Sequence, residues 1–280
     1  MDENGPEISP PKGKALLGES RVVFDAVRML GPLLGAHVQP RQDRGALLVI
    51  LAPGFGSDER YFAPLRRYLS RKGFHAEGWG LGRNLAGIDL PHRLEDLSDR
   101  WQFSDKPDYK GEASVPYLCD RLIDQIRERH SETGSPISLI GWSLGGYLCR
   151  EAARDLPAIV RSVITLGAPT IGGPKYTAAA TFFRKRGMDL DWIEAEIKRR
   201  EDVPIMQPIT AIFSKSDGIV NWKACIDHHS ENVRHVEING SHLGLGFNPS
   251  VWEQIIAALE STPPQIDGVR VKFQSKFKTL

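Results

Sequence analysis

Apolar runs that alternate with helical patterns predict a regular succession of strands and helices along most of the chain. The continuously apolar run at residues 46–52 is typical of a parallel strand that is buried on both faces. Further apolar or alternating runs predict strands at 74–79, 136–140, 160–166, 209–213 and 233–238. Apolar residues at helical spacing predict helices at 58–72, 115–130, 144–154 and 249–260. This succession predicts an α/β fold with a mostly parallel central sheet and helices on both faces.

The two ends of the chain depart from this pattern. We expect the polar residues 1–20, which lack the basic start and apolar stretch of a signal peptide, to be a disordered segment. Apolar positions at 21–36 predict a helix that packs on the body or, alternatively, docks on a lipid surface or frames the mouth of a site. The predicted domain spans residues 21–262. The basic tail at 263–280 is predicted to form either an edge strand or a peripheral contact. A membrane surface is one possible partner for such a contact.

Residues 170–206 form a predicted insertion between two strands. One crossover helix is expected there, but the chain offers a glycine-rich turn followed by two helical stretches, which predicts an inserted helical lid. The basic residues at 184–186 are either a solvated face or a receptor for an anionic group. The larger apolar side chains of the insertion either line a substrate site or pack the lid on the body; they are Phe182, Phe183, Met188 and Trp192.

Composition narrows the classes of function. A chain of 280 residues that is 41% hydrophobic can bury one substantial core, and a formal net charge of +1 argues against a nucleic-acid partner. Three cysteines without a C-x-x-C pair fit reduced thiols and a cytoplasmic location. No phosphate-binding loop or dinucleotide fingerprint occurs, and adjacent His228 and His229 would not converge on one ion, so we expect neither cofactor nor metal. The oligomeric state is not predicted by any of these features.

The stretch with the most specific chemistry is the G-x-S-x-G pattern at residues 141–145. It follows a predicted strand and precedes a predicted helix. A serine at such a sharp turn projects its hydroxyl into open space, and the flanking glycines let strand and helix approach closely. The pattern therefore predicts that Ser143 is a nucleophile.

Two polar turns later in the chain carry the residues that a nucleophilic serine needs. Asp217 follows the strand predicted at 209–213, and His242 follows the strand predicted at 233–238. We expect Ser143, Asp217 and His242 to converge, because the carboxyl ends of parallel strands meet at one edge of a sheet. Asp227 is a rival for the acid, but it lies in a predicted helical turn and not at a strand end, so Asp217 is preferred.

Five segments of the chain resemble bacterial lipase-like members of the α/β-hydrolase superfamily. They read P-G-F, W-G-L-G-R-N, G-W-S-L-G-G, S-x-x-D-G-I-V and G-S-H-x-G-L-x-x-N-P, at residues 53–55, 79–84, 141–146, 214–220 and 240–249. The resemblance covers roughly residues 45–260. It implies an α/β-hydrolase fold with Ser143 as nucleophile, His242 as base and Asp217 as the acid that orients the base.

The resemblance also implies an oxyanion hole made by the backbone N–H groups of Phe55 and Leu144. Pro53 stands where many lipases carry a histidine, so we expect the loop to be braced differently. Arg83 and Asn84 either contact substrate or brace their loop. The implied activity is that of an esterase or lipase on a small-molecule ester or lipid substrate. A thioesterase, an acyltransferase and a non-catalytic binding protein of the same fold are the alternatives.

Overall fold

Six parallel strands form one sheet in the part of the chain that the computed structural model describes, residues 8–11, 13–34, 47–85 and 110–261. The strands are β1 (Leu48–Ala52), β2 (His75–Gly78), β3 (Ile137–Trp142), β4 (Val160–Leu166), β5 (Ile209–Phe213) and β6 (Val233–Glu237). Their order across the sheet is β2-β1-β3-β4-β5-β6, and every neighbouring pair is parallel. The predicted α/β fold is confirmed, and all six carboxyl ends lie at the same edge of the sheet.

The described ranges contain α-helices before, between and after the strands. They are α1 (Gly13–Leu16), α2 (Val22–Arg28), α3 (Leu30–Leu34), α4 (Ala63–Arg71), α5 (Lys110–Thr133), α6 (Leu144–Asp155), α7 (Ala180–Lys185), α8 (Leu190–Arg200) and α9 (Pro249–Ser261). Within those ranges no helix combines the length and the apolar character that crossing a bilayer requires. The tail predicted at 263–280 lies outside the described residues.

Alternate residues of β1 enter two separate hydrophobic cores. Leu48 and Ile50 belong to the core that α5 and α6 form on one face of the sheet. Val49 and Leu51 belong to the core that α4 and α9 form on the other face. Because both faces of β1 are covered, each of its positions must be apolar, which explains the continuous run in the sequence.

The N-terminal segment differs from the prediction of disorder at residues 1–20. Residues 13–16 form α1 and residues 17–21 form a 3₁₀ helix, while residues 1–7 and 12 lie outside the described residues. Glu19 of the 3₁₀ helix is buried although it carries a carboxyl group. The order of this stretch comes from contacts with distant loops, which local composition does not reveal.

The apolar stripe predicted for residues 21–36 is only partly buried. Met29 and Leu33 pack on the body, but Val23 and Val27 are exposed. Asp25 points inward in their place. Burial raises the pKa of the Asp25 carboxyl. The helix therefore rests on the domain through a face that combines apolar side chains with a carboxyl group.

The insertion between β4 and β5 contains α7 and α8, as the helical stretches in its sequence predict. A 3₁₀ turn at Gly173–Tyr176 precedes them. Thr177 pairs with Val220 in an isolated antiparallel bridge, so the insertion contacts the loop after β5. Because the insertion follows the carboxyl end of β4, it begins at the same edge of the sheet as the predicted site residues.

A buried ion cluster joins this insertion to the body of the domain. Three arginines pair with carboxylates: Arg150 with Asp227 and Glu201, Arg154 with Glu151 and Glu201, and Arg200 with Glu151 and Asp155. The partners come from α6, from the end of α8 and from the loop after β5. Removal of one member of such a cluster strongly destabilises the fold, because the charge of its partner would remain buried without a counter-charge.

We expect Asp227→Asn to destabilise the fold by about 3 kcal/mol at neutral pH, because Arg150 would lose a buried counter-charge. Burial alone would raise the pKa of Asp227, but Arg150 and the backbone N–H of Ser230 hold it well below the ordinary 3.8. The stabilising contribution is present above that ordinary value and is lost as the pH falls through the lower folded-state pKa. Denaturant unfolding should therefore show a gap between wild type and variant at neutral pH that narrows in acid.

Glu132→Gln is the matched control for this experiment. Glu132 pairs with Arg129, and half of its side chain is exposed, at 50%. Removal of a surface pair of this kind costs about 0–1 kcal/mol. Equal losses of unfolding free energy in the two variants would contradict the special weight assigned to the buried cluster.

Candidate active site

Ser143 occupies the turn between β3 and α6. Its φ of 53° and ψ of −125° make it the one non-glycine residue with positive φ among those that the structure describes. A Cβ on Gly145 would lie 2.2 Å from the carbonyl oxygen of Ala52, and a Cβ on Gly141 would lie 2.3 Å from that of Gly145. Gly145 thus allows the turn to pack against β1, and Gly141 allows β3 to approach the start of α6. The strained backbone holds Ser143 at the strand-to-helix junction.

Asp217 and His242 meet beyond the carboxyl ends of β5 and β6. The Nδ1 atom of His242 lies 2.6 Å from Oδ2 of Asp217, and both side chains are buried. The second oxygen of Asp217, Oδ1, accepts the backbone N–H groups of Ile219 and Val220 at 2.8 and 2.7 Å. The carboxylate is therefore held through both oxygens. A proton on Nδ1 of His242 leaves Nε2 as the basic nitrogen of the neutral ring.

Asp227, the rival acid, lies elsewhere. It pairs with Arg150 in the buried ion cluster, and its Oδ1 accepts the backbone N–H groups of His229 and Ser230. Its backbone N–H donates to the ring of His235. The choice of Asp217 over Asp227 as the partner of His242 agrees with this geometry.

Two aromatic residues brace the loop that carries His242. The indole N–H of Trp142 donates to the carbonyl oxygen of His242 at 3.0 Å. Tyr61 stacks on Trp142, with ring centroids 4.0 Å apart, and its hydroxyl donates to the carbonyl oxygen of Leu243 at 3.1 Å while accepting from Gly246 N–H at 2.9 Å. Burial raises the pKa of the Tyr61 phenol, so it stays protonated and able to donate. Tyr61 was not predicted from the sequence, because no local pattern indicates a contact across 182 residues.

Asn84 braces the loop that contains Phe55. Its side chain is fully buried and donates through Nδ2 to the carbonyl oxygen of Pro53 at 2.8 Å. Its backbone N–H donates to Ser57 O at 2.8 Å, and its carbonyl oxygen accepts from Gly56 N–H at 2.6 Å. Of the two roles considered for Asn84, the structure therefore places it as a brace. The loop, which has Pro53 where many lipases carry a histidine, is thus held by the hydrogen bond from Asn84 to the carbonyl oxygen of Pro53.

The two predicted oxyanion-hole residues lie close to Ser143. Leu144 follows it directly, and the Phe55 loop passes alongside, since a Cβ on Gly54 would lie 3.0 Å from the Cβ of Ser143. Phe55 and Leu144 both line the cavity onto which Ser143 opens. Their backbone amides remain the predicted oxyanion-hole donors.

A cavity of about 310 Å³ brings most of the predicted site residues together. Its wall contains Ser143 and His242 and is otherwise mainly apolar, with contributions from the insertion and from α5 and α6. Glu196 and Arg200 of α8 are the charged side chains in the wall. Across the described ranges, no three His, Cys, Asp or Glu side chains are grouped as a metal site would need.

Two of the four predicted substrate-contacting residues do not line this cavity. Phe183 and Met188 are in its wall, whereas Phe182 and Trp192 are not. Phe182 is 44% exposed, because adjacent residues on a helix point about 100° apart and Phe183 takes the inward direction. Trp192 precedes the row of α8 residues that faces the cavity, which is Ile193, Glu196, Ile197 and Arg200. Phe182 and Trp192 therefore lie outside the wall of the cavity onto which Ser143 opens.

Comparisons with solved structures find bacterial and metagenomic lipolytic proteins of similar fold. A lipase-esterase related protein from Clostridium acetobutylicum is 16% identical with a TM-score of 0.53, over 78% of this chain and 96% of that one. A structure of metagenome-derived lipolytic enzymes is 13% identical with a TM-score of 0.55, over 77% and 94%. A bacterial membrane phospholipase A is 13% identical with a TM-score of 0.53, over 90% and 99%. At these identities the likeness shows the fold alone.

Sequence comparison places the chain more firmly than these structures do. A search among curated proteins finds no significant match. A family model described as the Alpha/beta hydrolase family matches residues 49–259, a range that contains β2 to β6, all of β1 except Leu48, and the three residues Ser143, Asp217 and His242. Because the match spans well over half of the 280 residues, the chain belongs to the alpha/beta hydrolase family.

Proposed function

We propose that the protein is a serine hydrolase that cleaves carboxylic esters with an apolar acyl group. The observation that carries the proposal is the convergence of Ser143, at a strained turn, and His242, paired with buried Asp217, on one apolar cavity. A nucleophile, a base and an acid that orients the base are the parts that acyl transfer needs. Membership of the family is consistent with this assignment.

In the proposed mechanism, Oγ of Ser143 attacks the acyl carbon while Nε2 of His242 takes its proton. Asp217 keeps the Nδ1–H tautomer of His242 and stabilises the imidazolium that forms. The backbone N–H groups of Phe55 and Leu144 hold the developing oxyanion. His242 then gives its proton to the leaving alcohol, and a water molecule activated by the same nitrogen hydrolyses the acyl-enzyme, which restores Ser143.

The composition of the cavity wall supports an apolar acyl group. Phe183, Met188, Ile193 and Ile197 from the insertion face the space beside Ser143. Phe55 packs edge-on against Phe183, with ring centroids 5.3 Å apart, which closes the wall between the insertion and the proposed oxyanion loop. In this proposal the insertion acts as a lid that selects substrate by burying its hydrocarbon part.

The first test compares Ser143→Ala and Asp217→Asn with wild type on p-nitrophenyl esters. We expect both variants to lose about 10⁴-fold or more in kcat, because one removes the nucleophile and the other fails to hold the base in its productive tautomer. Asp227→Asn, assayed below its unfolding temperature, should keep kcat near wild type. Wild-type turnover in Ser143→Ala would reject the assignment of the nucleophile.

The second test varies acyl length from acetate to palmitate. Each methylene buried in the cavity contributes about 0.8 kcal/mol, so kcat/KM should rise up to about fourfold per methylene until the cavity is full. The same series as coenzyme A thioesters, and with added acceptor alcohols, measures the alternative acyl-transfer activities. A flat profile over all ester lengths would argue against the cavity as the acyl site.

The third test uses the turn after β4, where Gly167 leaves no room for a side chain beside the His242–Asp217 pair. A Cβ there would lie 3.0 Å from Nδ1 of His242 and 3.2 Å from Oδ2 of Asp217, and the φ is +57°. We expect Gly167→Ala to displace the pair and lower kcat about 10- to 100-fold. Gly134→Ala is the control, since Gly134 has a similar φ of +65° and open space around it. An equal effect on kcat in both variants would show that strain, and not displacement of the pair, is responsible.

A further inference from the structure

The carboxylate of Glu19 joins the loop that carries Asp217 to the loop that carries His242. Its Oε1 accepts the backbone N–H of Gly218 at 2.8 Å and that of His242 at 3.0 Å. Its Oε2 accepts the backbone N–H of Leu243 at 2.9 Å. One buried side chain thus accepts three backbone N–H groups from two loops. Both loops lie about two hundred residues after Glu19 in the sequence.

The N-terminal segment also approaches both loops at their glycines. A Cβ on Gly218, next to Asp217, would lie 2.3 Å from the carbonyl oxygen of Ala15. A Cβ on Gly244, two residues after His242, would lie 2.2 Å from Oδ2 of Asp25. A side chain at Gly218 would push the backbone of the segment away, and a side chain at Gly244 would displace the carboxylate of Asp25. The same short stretch of chain therefore rests on the acid loop and the histidine loop together.

We propose that Glu19 is a positioning residue that fixes the Asp217 loop relative to the His242 loop, an inference that rests on the proposed hydrolase function. The 2.6 Å contact between Asp217 and His242 joins side chains from two separate loops, so its length depends on how far apart those loops are held. A carboxylate that accepts N–H groups from both loops sets that separation directly. Charge-assisted hydrogen bonds to backbone donors are shorter and stronger than neutral ones, which suits this role.

The role predicts a graded response to substitution. Glu19→Ala removes all acceptors and leaves three buried N–H groups unpaired, so we expect kcat to fall about 10- to 100-fold. Glu19→Gln keeps one acceptor oxygen but offers an amide group in place of the other, so its kcat should lie between those of wild type and Glu19→Ala. KM should change little, because most of the cavity wall comes from the insertion and the β3–α6 turn.

Asp25→Asn is the matched control. Asp25 lies in the same segment, and its Oδ2 is buried without a hydrogen-bond partner in the described part of the chain. It should keep wild-type kcat. A second readout is the downfield proton resonance of the His242 imidazole N–H that is hydrogen-bonded to Asp217. We expect it to broaden or disappear in Glu19→Ala and to persist in Asp25→Asn.

The outcomes separate this inference from the proposed function. If both Glu19 variants lose only thermal stability, with kcat and the imidazole resonance unchanged, Glu19 is a structural anchor and the positioning role is rejected. If Glu19→Ala does not fold, the kcat and resonance of Glu19→Gln decide the question in the same way. If wild type neither hydrolyses esters nor reacts with a serine-directed phosphonate, the proposed function fails, and the resonance alone still tests whether Glu19 holds the two loops.

Discussion

Backbone contact between the β3–α6 turn and the neighbouring strands is the constraint on which the site depends. The N–H of Ser143 donates to the carbonyl oxygen of Leu166 at 2.8 Å, which ties the turn to the end of β4. On the other side, Gly145 lies against the carbonyl oxygen of Ala52 at the end of β1. A turn caught between two strands has no freedom to relax, so the positive φ of Ser143 is maintained by its surroundings.

The loops around this turn are held by side chains that come from far along the chain. Asn84 supports the Phe55 loop, while Tyr61 and Trp142 support the loop of His242. Glu19 accepts from both the Asp217 and the His242 loops. Each of these contacts satisfies backbone groups that no strand or helix pairs, and a buried loop must satisfy such groups to be stable.

The insertion shows how one segment combines attachment with an apolar wall. Arg200 joins α8 to α6 through Glu151, and it also lies in the wall of the cavity near Ile197. Arg200 serves the attachment, and the apolar residues Ile193 and Ile197 of α8 face the space beside Ser143. This division places a helix that is ion-paired to the body of the domain along the wall of the cavity.

The sequence predicts most accurately those elements whose pattern is contained in one segment of the chain. The predicted strand at 160–166 coincides with β4, and the predicted helix at 144–154 agrees with α6 to within one residue. The turn at Ser143 was predictable because two glycines and a serine between a strand and a helix leave few backbone solutions. The directions of side chains were predicted less accurately. Phe182 and Phe183 are the same type of residue, and only the packing of α7 decides which of them faces inward.

The sequence by itself determined the α/β fold and the positions of the strands along the chain. It also determined that Ser143, Asp217 and His242 each follow the end of a strand. These features follow from local periodicity and from the rule that parallel strands present their carboxyl ends together. Only the tertiary structure decided that Glu19 is ordered and buried, that Asp227 pairs with Arg150, and that Tyr61 supports the histidine loop. The physical reason is that an isolated polar residue acquires its role from donors and charges brought to it by distant segments, and their positions exist only once the chain has folded.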